Sequence, residues 1–142
     1  AQPSATQKAY DNIAHQYDND YHNIRHSSYQ SFINQVAEHL QNVKPKNILD
    51  LCVGTGDAIL PLAEVFPEAH FTGNDISAGM LKVAEKKLEH LSHTNWICDD
   101  VANIKEHVQD NSKDLILCHY LFAYANRKQA IIMGTKVGHS LI

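Results

Sequence analysis

Cysteine is scarce in this sequence, and no two cysteines have the spacing of a metal-binding pair. The 142 residues include three cysteines and no CxxC motif. Cys52, Cys98 and Cys118 each lie in or at the end of an apolar run. This placement predicts free thiols in a reducing compartment and argues against a disulfide framework. The ten histidines are scattered and none belongs to an HExxH motif, so the sequence predicts no metal site.

An excess of positive charge and long apolar segments are also missing. The chain has 12 Lys and Arg against 16 Asp and Glu, a net charge of −4 with histidine neutral. Without a basic stripe, proteins that bind nucleic acid through a basic surface are excluded. No apolar run approaches the ~20 residues of a membrane span, and the opening AQPSATQKAY lacks the apolar segment of a signal peptide. We therefore expect a cytoplasmic protein whose partners include neither nucleic acid nor a membrane.

Apolar residues occur instead in short runs that alternate between strand and helix spacing. Predicted strands are NILDLCV, HFTGND, TNWICDD and DLILCHYLF, with GHSLI as the opening of a fifth. Predicted helices are SYQSFINQVAEHL, GDAILPLAEVF, ISAGMLKVAEKKLEHL and NRKQAIIMGTKV, with a short one at VANIKEHV. This alternation predicts an α/β fold, a doubly wound and mostly parallel sheet with helices on both faces.

The first 28 residues differ from the rest of the chain. They are polar, rich in Tyr, Asn, Asp and His, and their apolar pattern is weak. We predict that residues 1–28 form a lid-like N-terminal segment that closes over a site in the domain of residues 29–142. Tyr17 and Tyr21 are its aromatic candidates, and Arg25 could meet a ligand carboxylate. The alternative is a loosely ordered terminus.

A glycine turn follows the first predicted strand. Gly54 and Gly56 end the stretch LDLCVGTGD, where the backbone can turn tightly and approach a ligand. In open α/β sheets, ligands bind beyond the carboxyl ends of the strands. A dinucleotide fingerprint would need a third glycine at position 59, which is Ile59. Two glycines alone are also compatible with an ordinary tight turn.

Carboxylates end the next two predicted strands. Asp75, about twenty residues beyond the glycines, could accept hydrogen bonds from both ribose hydroxyls of an adenosine; alternatively it caps the next helix together with Ser77. After the third strand, Asp99 and Asp100 precede Val101. An acid there can accept from an adenine amino group, while the alternative is a solvated loop pair. Because all these strand ends lie along one edge of the sheet, together they predict an adenosine site.

Four stretches resemble segments of the class I S-adenosylmethionine-dependent methyltransferases. These are ILDLCVGTGD, FTGNDISAGMLKVAEKKL, WICDDVANI and DLILCHYLFAY, and the resemblance covers about residues 7–142. In style they are similar to the ubiquinone/menaquinone C-methyltransferase and small-molecule branch. The resemblance implies a Rossmann-like methyltransferase fold that stops before the C-terminal strands, S-adenosyl-L-methionine as cofactor and a small-molecule methyl acceptor.

The resemblance also implies roles for individual residues. Asp50 and Gly54 would lie at the methionine amino group, Asp75 at the ribose, and Asp100 with Val101 at the adenine. Cys118 or His119 would supply backbone contacts near the sulfonium, and Cys52 replaces the family's first glycine. The predicted cofactor-binding set is completed by Gly56, Ile76 and Tyr17.

His119 is the candidate general base, needed only if the acceptor must lose a proton. The alternative is a packed or cofactor-facing histidine without a proton role. Two other functions remain open: an NAD-dependent oxidoreductase, disfavoured by Ile59, and a non-catalytic cofactor-binding module. For the sheet edge that the missing strands would leave, we expect either that the chain is a fragment of a longer protein or that a second copy of the chain completes the edge.

Overall fold

The computed structural model describes residues 2–19 and 44–118, together with residues 34, 35, 38, 40 and 42. Several predictions concern other parts of the chain. The last predicted helix, the predicted fifth strand, Tyr21, Arg25 and His119 lie outside the described residues.

Four parallel strands form one sheet. They are β1 (Asn47–Asp50), β2 (His70–Asp75), β3 (Thr94–Cys98) and β4 (Leu115–Leu117). Their order in the sheet is β3-β2-β1-β4. The chain therefore adds β2 and β3 on one side of β1 and β4 on the other, so the winding direction reverses beside β1. This order confirms the predicted parallel α/β sheet and puts a ligand-binding switch point at the end of β1.

Helices follow β1, β2 and β3 as the apolar spacing predicts, and one more helix lies before β1, in the segment whose apolar pattern is weak. They are α1 (Ala5–Ile13), α2 (Ile59–Val65), α3 (Ala78–Lys87) and a 3-10 helix (Val101–Glu106). Pro61 is the third residue of α2, where its missing N–H removes no helical hydrogen bond. The predicted short helix at VANIKEHV is thus a 3-10 helix. In the predicted helix SYQSFINQVAEHL, the described positions 34, 35, 38 and 40 are helical.

Alternating residues of the strands fill two apolar layers, one on each face of the sheet. The layer under α2 and α3 contains Ile48, Phe71, Leu115 and Leu117 from the strands and Leu62 and Leu88 from the helices. The layer under the 3-10 helix contains Leu49, Leu51, Ile116, Ile104 and Val108. Burying one such side chain contributes about 1.5–3 kcal/mol. The sheet is therefore covered on both faces, as predicted.

A smaller apolar cluster joins α1 to the start of α3. Ala14, Tyr17 and Met80 are its buried members. The rings of Tyr10 and Tyr17 lie 6.3 Å apart between centroids, at an interplanar angle of 57°. Residues 2–19 are therefore packed against α3 in this structure. Within the described part of the chain, no helix is both long enough and apolar enough to span a membrane.

Candidate functional site

The loop after β1, residues 51–58, is called the glycine loop. Gly54 and Gly56 both have left-handed backbone angles, with φ of +55° and +88°. A Cβ built on Gly54 meets no atom within 4 Å, so the loop faces open space there. A Cβ on Gly56 would lie 2.8 Å from Cδ1 of Leu88. Gly54 is therefore placed to approach a ligand, whereas Gly56 lets the loop approach α3.

The position of the absent third glycine is occupied by core. Ile59 is the first residue of α2 and is completely buried in the layer between the helices and the sheet. A glycine there would open this layer instead of admitting a phosphate. The structure thus agrees with the argument from the sequence against a dinucleotide fingerprint.

Asp75 joins the ends of the first two strands. The backbone N–H of Gly54 donates to its Oδ2 at 2.9 Å, and that of Ser77 donates to its Oδ1 at 3.0 Å. Burial raises the pKa of this carboxyl, although these hydrogen bonds counteract the rise. Each oxygen can accept one more hydrogen bond, so Asp75 can hold the loops and still receive two hydroxyl groups.

Capping of α3 involves both candidates from the sequence. The Ser77 hydroxyl accepts from the N–H of Met80 at 3.1 Å and is the N-cap. Asp75 supports Ser77 through the bond to its N–H. The two sequence alternatives for Asp75 are therefore compatible, because capping uses only part of its acceptor capacity.

Asp50 is a buried acid at the end of β1. Its side chain is 2% exposed, and the N–H of Cys52 donates to its Oδ1 at 3.2 Å. Burial raises the pKa of Asp50 to about 7, and the neighbouring charge of Asp75 adds to the rise. A cation brought next to this carboxyl would lower its pKa again, so the site favours a positively charged group.

Cys52 lies among the predicted site residues. Burial raises the pKa of its thiol, and the charges of Asp50, Asp75 and Asp100 raise it further. The Cys118 thiol acts on it in the same direction. These electrostatic interactions indicate that residues at or just after the ends of β1, β2, β3 and β4 lie near one another. The Cys52 thiol is therefore neutral at physiological pH.

The two acids after β3 have different surroundings. Asp99 is bound by Nε2 of His107 at 2.8 Å, by the amide of Asn103 at 3.0 Å and by the N–H of Asp100 at 2.7 Å. These hydrogen bonds hold the pKa of Asp99 below its usual value. Asp100 is exposed, and its Oδ1 accepts from the N–H of Ala102 at 2.9 Å. Asp99 thus fixes the loop to the 3-10 helix, and Asp100 is better placed to receive a ligand.

Sequence reasoning missed Asn74, which lies inside β2. Its side-chain amide donates to the carbonyl oxygen of Leu51 at 3.1 Å and to that of Asp99 at 3.2 Å. The signal in the sequence was a polar residue within the otherwise buried strand HFTGND. The hydrogen bonds connect the loops after β1 and β3 across β2.

Sequence reasoning also missed a charged group at the glycine loop, the Lys87 cluster, made of Asp18, Thr55, Asp57 and Lys87. Nζ of Lys87 lies 2.6 Å from Oδ2 of Asp18, 2.9 Å from Oδ1 of Asp57 and 3.2 Å from the hydroxyl of Thr55. The buried Thr55 hydroxyl donates to Oδ1 of Asp18 at 2.5 Å. The N-terminal segment therefore contacts the glycine loop directly. No local sequence pattern indicates a contact between residues so far apart.

Most of the predicted site residues are brought together. Asp50, Cys52, Gly54 and Asp75 surround the end of β1, with Ile76, Asp100 and Val101 following the ends of β2 and β3. Tyr17 is buried in the cluster with Ala14 and Met80. Among the described residues, no group of three His, Cys, Asp or Glu side chains is arranged to hold a metal ion.

The chain is similar to known methyltransferases over most of its length. A family model described as a methyltransferase domain matches residues 48–136. Demethylmenaquinone methyltransferase of Thermotoga maritima is 30% identical over 125 residues, which cover 87% of this chain and 52% of that protein. Malonyl-[acyl-carrier protein] O-methyltransferase of Priestia megaterium is 32% identical over 119 residues, covering 84% of this chain and 41% of that protein.

A solved structure shows the same similarity in three dimensions. An S-adenosylmethionine-dependent methyltransferase from Clostridium acetobutylicum matches with a TM-score of 0.57 and 27% identity, over 78% of this chain and 43% of that chain. The chain thus spans about half, or less, of the length of these relatives.

Proposed function

Since the chain belongs to the methyltransferase domain family, we propose that it binds S-adenosyl-L-methionine. We further propose that it transfers the methyl group of this cofactor to a small-molecule acceptor. The observation that carries this proposal is the convergence of Asp50, Asp75 and Asp100 at three strand ends beside a glycine loop. The relatives named above, each a methyltransferase by name, support it.

The residues at this edge suit each part of the cofactor. Asp75 would receive the ribose hydroxyls with its remaining acceptor capacity. Asp100 and Val101 would meet the adenine, with Ile76 as its apolar neighbour. Burial raises the pKa of Asp50, and the methionine ammonium group would stabilise the charged form of this carboxyl.

The open space at Gly54 supports the same assignment. A side chain on this residue would project into a region free of described atoms within 4 Å. The methionine end of the cofactor would lie there, next to Asp50 and Gly54. Cys52 and Cys118, both half-buried, would border the sulfonium.

The bound cofactor would supply an activated methyl group on a sulfonium. The protein's part is to align the acceptor with that group and to exclude water. A proton must be removed only from acceptors that carry one on the attacked atom, and His119 is our candidate for that role. The acceptor is proposed as a small-molecule group and not as one compound, because one relative is named for demethylmenaquinone and another for malonyl-[acyl-carrier protein].

Location and assembly belong to the same proposal. Cys52, Cys98 and Cys118 are free thiols, which supports a cytoplasmic location. A quinone-like acceptor is the finer proposal, supported by the Thermotoga maritima relative. A homo-oligomer that completes the sheet is a proposal from the sequence alone.

Calorimetry with S-adenosylhomocysteine and with NAD tests the cofactor assignment. We expect binding of S-adenosylhomocysteine and none of NAD. Asp75→Asn should weaken the binding about tenfold or more, because hydrogen bonds to a charged acceptor contribute roughly 1.5–3 kcal/mol.

Asp114→Asn is the matched control. The Asp114 carboxylate also accepts two backbone N–H bonds, from Lys46 and Asn47, both at 2.9 Å, but near the start of β1. We expect this variant to lose stability and keep its affinity. Binding of NAD in place of S-adenosylhomocysteine would overturn the proposal in favour of an oxidoreductase.

Turnover separates an enzyme from a binding module. Release of S-adenosylhomocysteine from S-adenosylmethionine is measured across small-molecule acceptors that include quinols and thioesters. Release with at least one acceptor is expected. Tight cofactor binding without release for any of them would favour the non-catalytic alternative.

A further inference from the structure

Asn74 occupies a central position in the sheet. It lies on β2, the strand between β1 and β3, and its side chain is 1% exposed. Its amide nitrogen donates to the carbonyl oxygens of Leu51 and Asp99. The backbone carbonyl oxygen of Asn74 accepts from the N–H of Val53 at 2.9 Å. One residue thus binds the chain just past β1 and just past β3.

The two side-chain hydrogen bonds continue the sheet where its regular pairing ends. The last paired residues are Asp50 opposite Gly73 and Asp75 opposite Cys98. Leu51 and Asp99 are the next residues of β1 and β3. The Asn74 amide therefore fixes the spacing at which both loops leave the sheet.

The orientation of the amide is determined by these two carbonyl groups. Rotating it by half a turn would place Oδ1 against two carbonyl oxygens, which cannot donate. In the orientation observed, Oδ1 is buried and has no hydrogen-bond partner among the described residues. An unpaired acceptor in the interior costs free energy. Since an apolar side chain would avoid this cost, the two hydrogen bonds that the amide donates are the reason for a polar side chain here.

We propose that Asn74 is a positioning residue for the cofactor, holding the loop of the methionine end and the loop of the adenine end at the distance that one ligand spans. This inference rests on the proposed function. Leu51 is the first residue of the glycine loop and is next to Asp50 in the chain. Asp99 is followed directly by Asp100 and Val101. Asn74 reaches the cofactor through the two loops and not by direct contact.

The affinity of a ligand that contacts both loops depends on the spacing of the loops. The affinity of a ligand that makes fewer of these contacts depends on it less. S-adenosylhomocysteine engages both loops, and adenosine lacks the methionine end. Loss of the Asn74 hydrogen bonds should therefore weaken the binding of S-adenosylhomocysteine more than the binding of adenosine. A residue with a purely structural role would change stability without changing this ratio.

The test compares Asn74→Leu with wild type and with Thr72→Val. Thr72 is buried on the same face of β2, and its hydroxyl accepts from Nζ of Lys113 at 3.1 Å. Affinities for S-adenosylhomocysteine and adenosine are measured by calorimetry well below each variant's unfolding midpoint. Two lost hydrogen bonds predict a decrease of about tenfold for S-adenosylhomocysteine and less than about threefold for adenosine. Thr72→Val should leave both affinities unchanged.

Asn74→Asp provides a second, nearly isosteric variant. An ionised carboxylate cannot donate to either carbonyl oxygen, whereas a protonated one can donate to one of them. Relative to wild type at each pH, its affinity for S-adenosylhomocysteine should recover as the pH falls from 8 to 5. This variant also gives the comparison at pH 8 if Asn74→Leu does not fold.

The outcomes separate this inference from the proposed function. If wild type binds S-adenosylhomocysteine and Asn74→Leu binds it equally well, the positioning role is overturned and the proposed function stands. Equal losses for S-adenosylhomocysteine and adenosine would also overturn the positioning role. If wild type binds neither ligand, the proposed function fails and this inference fails with it.

Discussion

Gly54 and Gly56 lie two residues apart, yet a neighbouring side chain excludes a Cβ only at Gly56, whereas Gly54 faces open space. Both positions could be chosen from the sequence, because glycine after a strand marks a turn. The reason for a glycine at position 56 could not be predicted, because its neighbour Leu88 lies far away in the sequence, at the end of α3. Only tertiary packing decides which glycine faces open space and which faces the protein.

Substituting alanine at the two glycines should separate these constraints. Gly54→Ala should cost about 1–2 kcal/mol through its left-handed backbone alone. Gly56→Ala should cost about 1–3 kcal/mol more, because its Cβ would lie 2.8 Å from Cδ1 of Leu88. Urea denaturation gives both free energies of unfolding. Adding Leu88→Ala to Gly56→Ala should cost less than the sum of the single changes, and strict additivity would contradict the proposed overlap.

The pKa of Asp50 makes stability depend on pH. Its folded-state value of about 7 lies above its ordinary value of 3.8. The folded protein thus binds this proton more tightly than the unfolded chain does. The resulting stabilisation is complete below about pH 4 and is lost as the pH rises through about 7.

Asp50→Asn removes this pH dependence and keeps an acceptor for the N–H of Cys52. We expect the variant to gain stability relative to wild type between pH 5 and pH 8, by at most about 1.4 kcal/mol per pH unit. Urea denaturation at both values measures the gain. Its affinity for S-adenosylmethionine should fall, because the partner of the ammonium group is gone. A difference from wild type that stays constant with pH would show that Asp50 does not titrate in this range.

Among the elements, α3 is bound at both of its ends by the N-terminal segment, near its start by Asp11 of α1 and at its end by Asp18, which follows α1. Near the start of α3, Oδ1 of Asp11 accepts from the Ser77 hydroxyl at 2.5 Å and from the N–H of Gly79 at 2.9 Å. At the end of α3, Lys87 binds Asp18 in the Lys87 cluster. A carboxylate at a helix N-terminus and a lysine at its C-terminus are both favourable, because they complement the helix dipole. The N-terminal segment is therefore attached beside the glycine loop and beside the residues that follow β2.

Deleting residues 1–28 tests the proposed lid. We expect affinity for S-adenosylhomocysteine to fall, because the segment contacts Thr55 in the glycine loop and Ser77 after β2. The milder Asp18→Asn should weaken the affinity in the same direction by breaking the Lys87 cluster. Asp110→Asn is the control, since Asp110 forms an exposed ion pair with Lys105 at 3.6 Å and neither residue belongs to the Lys87 cluster. Unchanged affinity after the deletion would leave the segment with a structural role only.

The order of helices and strands was predictable, whereas the links between them were not. Periodicity distinguishes α3 from β2, because apolar spacing reflects which face each residue buries. The short helix expected at VANIKEHV is the 3-10 helix Val101–Glu106, and its 3-10 form was not part of the prediction. Contacts such as Asp11 with Ser77 depend on where α1 docks, and no local pattern carries that information.

At the scale of the whole molecule, the reversal of winding beside β1 was implied by the alternating pattern. A parallel sheet covered on both faces has its loops gathered at one edge, so acids at successive strand ends could be assigned to one site. Which acid is available could not be predicted, because the binding of Asp99 by His107 and Asn103 depends on the 3-10 helix. For the same reason Asn74 remained unnoticed, since its partners are backbone groups of two other strands.

The docking of α1 also affects the order in which the protein can fold during synthesis. Asp11 is made 66 residues before its partner Ser77. A helix of nine residues is marginal in water by itself, where stable isolated helices need about 12–15 residues. The nascent α1 must therefore wait for α3 before it becomes stably helical. The segment beside the glycine loop is thus translated well before the helix that stabilises it.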